Sequence, residues 1–80
     1  MTAIEIFLKK FAEQFDETES TVFRPETLFK ENEAWDSMTA LSVIAMADEN
    51  YGVILTGDDV RHAKTIQDVF DAITSKMSHS

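Results

Sequence analysis

Two stretches of this chain carry apolar residues at helical spacing, and neither can hide its stripe from water alone. In the first, Ile4, Phe7, Leu8, Phe11 and Phe15 fall on one face of a helix expected to end near Asp16. In the last, Ile66, Val69, Phe70, Ile73 and Met77 do the same. Thr2 with Glu5, and Thr65 with Asp68, have the spacing of a capping box ahead of those faces. The pattern predicts helices packed on helices. At 80 residues the chain is expected to be a single domain over 1–80, near the size where a core without staples is only marginally stabilising.

Between the two stripes the period first disappears and then returns. From Glu17 to Ala34 the chain is polar apart from Val22-Phe23 and Leu28-Phe29. A structureless loop of that length exceeds the usual limit of about 12 to 15 residues. The apolar pairs are therefore expected to pin it across the bundle, with a helical turn after Pro25. Trp35 reads as a packing anchor. The segment that follows, up to Tyr51, is helical in pattern, with Leu41, Ile44 and Tyr51 on one face and Met38, Ala45 and Asp48 angled off it. Ser42, Ala45, Met46 and Glu49 are expected to look outward.

Val53-Ile54-Leu55 is too short for a strand and is expected to drop into the core as a linker. Thr56 then precedes Gly57-Asp58-Asp59-Val60-Arg61-His62, a short helix whose opening acids complement its dipole. The tail Ser78-His79-Ser80 is expected to fray. The fold class is thus all-α: a small four-helix bundle, three long helices plus one short, with a long loop between helices one and two.

The net charge of -8, from 15 acidic and 7 basic residues, is spread over both halves of the chain. Such a surface repels nucleic acid and anionic lipid, which predicts no nucleic acid and no membrane among the partners. Basic surfaces of other proteins are the natural counterpart. With no cysteine, disulfides and thiolate metal sites are excluded, and any reactive thiol must come from a cofactor. No run approaches the ~18 apolar residues needed to span a membrane. Met1 to Lys10 has neither a basic leader nor an apolar stretch with a cleavage site, which predicts a cytoplasmic protein, expected to be a monomer.

The stretch that invites chemistry is Trp35-Asp36-Ser37-Met38, where the polar loop gives way to the second helix. Either Asp36 or Ser37 can cap the free N–H groups of the first turn. Those groups, with the positive end of the helix dipole, also favour a phosphate on the serine oxygen, so that the backbone alone is expected to stabilise a phosphodiester there. Capping and modification are both open on these residues.

From Asp36 to Ile73 the chain resembles the acyl carrier protein family without a gap. The resemblance is carried by Asp36-Ser37-Met38, a helix closing at Asp48-Glu49-Asn50-Tyr51, the step Val53-Ile54-Leu55, the turn Gly57-Asp58-Asp59 and the helix Thr65 to Ile73. It implies a non-catalytic carrier with 4'-phosphopantetheine covalently attached to Ser37 and flanked by Asp36 and Met38. The arm's thiol would hold an acyl group as a thioester. The implied partners are a phosphopantetheinyl transferase and the acyl-loading and acyl-transferring enzymes of fatty-acid, polyketide or related biosynthesis.

In many family members the second helix is densely acidic and is the surface that partner enzymes recognise. Here that surface is implied to be Ser42, Met46, Asp48 and Glu49, with Thr39 and Ser42 standing where acids are common. The reduced acidity favours a specialised pathway, such as polyketide, peptide or cell-surface modification, over housekeeping fatty-acid synthesis. Ala45, Ala47 and Ala63 are small enough for an acyl cavity to open between helices. The rival reading is an unmodified acidic helical adaptor that only docks a partner protein.

Catalytic and metal constellations are missing from the pattern. Ser37 has no evident base, since His62 lies near the third helix and His79 in the tail. Asp58-Asp59 lacks the spaced ligands of a calcium loop, and His62 has no second histidine a turn away.

Overall fold

The computed structural model describes residues 2–15, 23–32 and 35–78. Its helices are α1 (Ala3–Ala12), α2 (Ser37–Tyr51), α3 (Gly57–His62) and α4 (Ile66–Ser78), with a short 3-10 helix at Phe29–Glu31. No strand occurs among the described residues, and the all-α bundle of three longer helices and one short one is as the patterning predicts. None of these helices is long and apolar enough to cross a membrane. Val22 and the tail His79-Ser80 lie outside the described residues.

Local rules account for most helix starts. Thr2 Oγ1 accepts the Glu5 N–H at 3.3 Å while Glu5 Oε1 accepts the Thr2 N–H at 2.8 Å, closing the predicted capping box of α1. The same reciprocal pair forms at α3 between Thr56 and Asp59, at 3.1 and 2.9 Å. At α4, Asp68 accepts the N–H groups of Lys64 and Thr65 at 2.9 and 3.1 Å, and Thr65 Oγ1 accepts that of Asp68 at 3.1 Å. α2 ends at Gly52, which adopts a φ of 65°, the left-handed region where glycine avoids the steric penalty of a side chain.

α1 stops at Ala12, short of the expected end near Asp16. The amides of Gln14 and Phe15 bond back to the carbonyls of Phe11 and Ala12 at 3.1 Å each, a tightened turn that brings the Phe15 ring edge-on to Phe23 at 5.1 Å. Phe11 is the centre of the resulting aromatic cluster. It is fully buried, and its ring lies 5.9 Å from Phe7, 5.7 Å from Phe15, 6.2 Å from Phe23, 5.2 Å from Phe29 and 6.4 Å from Trp35. Trp35 also meets Phe29 edge-on at 4.8 Å, in keeping with its expected role as an anchor.

The long connection is pinned as predicted, through Phe23 and Phe29, whereas Leu28 is turned half out to solvent. After Pro25 the chain makes a single turn closed by the Thr27 N–H on the Arg24 carbonyl, 3.0 Å, and the helical turn follows only at Phe29. The carbonyls of Pro25 and Thr27 accept the N–H groups of Gln67 and Ile66 at 2.8 and 3.2 Å. First-turn amides of α4, which have no partner within their own helix, thus tie the loop across the bundle.

The face that α2 buries differs from expectation. Thr39, Val43, Met46 and Ala47 point inward, while Leu41 is 65% exposed and Ile44 and Tyr51 are half-buried at the margin. Met46, expected to look outward, is therefore a core residue. α2 carries apolar residues on nearly every side, so helical spacing alone admits two faces. The rotation is set by what α2 packs against.

In the linker, Val53 and Leu55 enter the core and Ile54 is 73% exposed. α4 packs against the three other helices through Ile66, Val69 and Ile73, and Met77 at the end of its stripe is half exposed.

Replacing Phe11 by Ala should cost about 3 to 5 kcal/mol, because it empties a fully buried ring site that five other aromatics surround. Urea unfolding monitored by circular dichroism checks this against Ile54→Ser, whose exposed site should change stability by less than about 0.5 kcal/mol.

Candidate functional site

Asp36 is the residue that ends the loop and begins α2. Its extended backbone, φ -148° and ψ -175°, places the carboxylate over the first turn, where Oδ1 accepts the Thr39 N–H at 2.8 Å and the Thr39 hydroxyl at 2.9 Å. The two open assignments for the cap thus resolve to Asp36. Thr39 is buried, and its hydroxyl is satisfied by the same carboxylate. The Thr39 N–H, then its hydroxyl, and more weakly the Met38 N–H hold the Asp36 carboxyl below the usual carboxylate range, against a small opposing effect of burial.

Ser37 is the first residue of α2 and is exposed. One of the first-turn amides expected to favour a phosphate at this point is already engaged. The Thr39 amide is taken by Asp36, and the Asp36 carboxylate already brings a negative charge to the positive end of the helix.

Ser37 borders a groove of about 430 Å³. Ala40 and Ile44 of α2 and Gly57 and Val60 of α3 line it, together with Trp35, Asp36, Lys30 and Arg61. The small residues expected to open such a space are placed elsewhere: Ala47 is fully buried in the core, Ala45 lies on the outward side of α2, and Ala63 is buried after α3. Ala40 provides the space instead. His62 does not line the groove, and among the described residues no group of three or more histidine, aspartate or glutamate side chains gathers as a metal site would require.

Of the residues proposed to flank Ser37, Met38 is 73% exposed. It begins an outward stripe of α2 that continues through Leu41, Ala45 and Asp48, with Glu49 also exposed and Ser42 half-buried at its edge. Met46 is not part of this surface. Leu41, grouped from the sequence with Ile44 and Tyr51, and Ile54, expected to drop into the core, are both exposed, and the groove-lining pair Lys30 and Arg61 was not singled out from the sequence. The last two are 31 residues apart, and no local pattern joins them.

The chain is similar to the acyl carrier protein of Thermosynechococcus vestitus, with 33% identity over 54 residues that span 68% of this chain and 67% of that protein. It is also similar to the acyl carrier protein of Acidothermus cellulolyticus, 33% identical over 52 residues that span 65% of this chain and 62% of that protein. No family model matches the chain. No solved structure matches it.

The cap carboxylates give the fold a pH dependence whose sign is fixed. Asp36, Asp59 and Asp68 are each lowered, chiefly by N–H donors of Thr39, Thr56 and Lys64 respectively. A group depressed in the folded state stabilises fully above its unfolded value, about 3.9 for Asp, and that contribution is lost as pH falls through the lower folded value. The melting temperature should therefore fall on acidification below about pH 4, and Asp68→Asn should show a shallower fall in that window. Circular-dichroism melts between about pH 6 and pH 3 measure both.

Proposed function

The chain belongs to the acyl carrier protein family, and we propose that its working group is the Ser37 hydroxyl, which carries 4'-phosphopantetheine. The chain is a carrier, not an enzyme. When bound, the arm supplies the thiol that the chain itself lacks, and an acyl group is held there as a thioester.

What carries the reading is Ser37 itself, exposed at the first position of α2 and bordering an apolar groove between α2 and α3. Ser37 Oγ would attack the pantetheine-side phosphorus of the coenzyme A pyrophosphate in the transferase, forming the phosphodiester as the P–O bond to the leaving adenosine 3',5'-bisphosphate breaks. The proton it loses goes to the transferase. Asp36, the carboxylate on the groove, is committed to Thr39, and no histidine lines the groove. A rigid bundle bearing a flexible tether raises the effective concentration of the acyl group at each partner's site.

Partner enzymes are proposed to read the outward side of α2: Met38, Leu41, Ser42 and Ala45, with Asp48 and Glu49 at the far end. This surface is apolar beside Ser37 and charged only a turn or more away. It suits partners that offer an apolar contact rather than a strongly basic one, which favours a specialised pathway over housekeeping fatty-acid synthesis.

Incubated with coenzyme A and a broad-specificity transferase, the wild type should gain the mass of one phosphopantetheine and Ser37→Ala should gain none. A wild type whose intact mass never changes would support the unmodified adaptor instead. Wild-type protein carrying the arm should be loaded poorly by a fatty-acid malonyl transferase. Leu41→Glu, which adds a charge to an exposed position, should be loaded better. Loading rates followed by intact mass decide this, and efficient loading of the wild type would overturn the specialised assignment.

A further inference from the structure

Lys30 and Arg61 are two of only 7 basic residues in the chain, and both line the groove that Ser37 borders. They are drawn together by a hydrogen bond from Lys30 Nζ to the Arg61 carbonyl, 2.6 Å, which ties the loop's 3-10 helix to α3. That carbonyl uses one of the three donors of the ammonium group. The Arg61 guanidinium is 3.0 Å from Asp58, in a pair whose side chains are 75% and 69% exposed. Pairs so open to water are weakly held, which leaves the guanidinium free to exchange partners.

The opposing charge on the groove is Asp36, ionised under its cap hydrogen bonds. Two cations and one carboxylate line the groove itself, with Asp58 paired to Arg61 beside it, on a chain whose total is -8. A groove of about 430 Å³ is on the order of 10 Å across, so its rim charges act within about one Debye length of one another. A phosphodiester carries one negative charge and competes with the solvent-exposed Asp58 for Arg61 while also facing Lys30. The amide of Thr39 is not available to hold that charge, since Asp36 occupies it.

We propose that Lys30 and Arg61 form a binding site for the phosphodiester that joins the arm to Ser37. The inference rests on Ser37 being the attachment point. Arg61 exchanges Asp58 for the phosphate oxygens, a partner that a guanidinium can grip through two parallel N–H donors. Lys30 adds a point charge from the loop side while keeping its bond to the Arg61 carbonyl. The first atoms of the arm are thereby laid over Ala40, Ile44 and Val60 rather than released into solvent.

The test uses wild type, Lys30→Gln, Arg61→Gln and the double variant, each treated with coenzyme A and a transferase and checked by intact mass. Phosphorus NMR then follows the phosphodiester resonance as sodium chloride is raised. The wild-type resonance should move with salt as the clamp is screened, each single variant should show a smaller response, and the double variant should show none. Gln keeps a donor for the Arg61 carbonyl, and Arg61→Gln leaves that carbonyl bond untouched. Circular-dichroism melts verify that each variant is folded, so the exposed Arg61 position gives a readable result even if Lys30→Gln unfolds. A wild type that takes the arm but has the same salt response as Arg61→Gln and the double variant overturns the clamp alone. A wild type that takes no arm overturns the Ser37 reading and the clamp with it.

Discussion

The stacking of Trp35 on Phe11, two parallel rings 6.4 Å apart, is the contact on which the site depends. Phe11 belongs to α1, and Trp35 is the residue before the cap of α2. One aromatic contact therefore sets where the second helix begins relative to the first. Phe29 wedges against both rings at 5.2 and 4.8 Å, so the loop's 3-10 helix is fixed by the same cluster. Offset and edge-on aromatic pairs contribute about 0.5 to 1.5 kcal/mol each beyond their buried area. In a chain this small, where total stability is of order 5 to 15 kcal/mol, several such pairs meeting at Phe11 are a large share. Asp36 and Ser37 follow directly on Trp35, so the start of α2 is tied to the aromatic cluster.

The long connection serves the same end. It carries Phe23 and Phe29 into the core, gives the carbonyls of Pro25 and Thr27 to the first turn of α4, and delivers Lys30 to α3. Each attachment uses a group that would otherwise lack a partner: a buried ring, an orphan amide or an exposed carbonyl. These contacts, made by residues 23–32, oppose the closure entropy of a long connection. The groove beside Ser37 has one wall from this loop and two from helices, and a shorter tight turn could not have supplied the loop wall.

How much of this could be read from the residues follows from the range over which each rule acts. Capping boxes span three residues, so the starts of α1 and α4 were legible at Thr2 and Thr65, and that of α3 was legible from Thr56 and the acids that open it. The stripes of α1 and α4 were legible because each is apolar on one side only. α2 was legible as a helix and not in its rotation. Leu41-Ile44-Tyr51 and Thr39-Val43-Met46 both recur at helical spacing, and the chain buries the second. Choosing between them needs the positions of Trp35, Phe29 and α4, which no local pattern contains. The end of α1 was missed for a related reason, since the ring that turns Phe15 inward arrives from Phe23 across the loop. The pairing of Lys30 with Arg61 lay beyond any spacing rule.

The ambiguity of α2 follows from the surfaces that meet on it. A helix that only packs on a core needs one apolar stripe, and its sequence then declares the stripe. α2 instead has an inward face of Val43, Met46 and Ala47, a groove wall of Ala40 and Ile44, and an outward stripe of Met38, Leu41 and Ala45. Three apolar surfaces around one cylinder leave few positions for charge, so Asp48 and Glu49 are confined to the last turns, and the first turn relies on Asp36 for its cap. Charge for the Ser37 end must then come from other elements. Lys30 from the loop and Arg61 from α3 are the cations that line the groove there. The mixed pattern that hid the rotation of α2 is thus the same property that leaves electrostatics at Ser37 to residues distant in the chain.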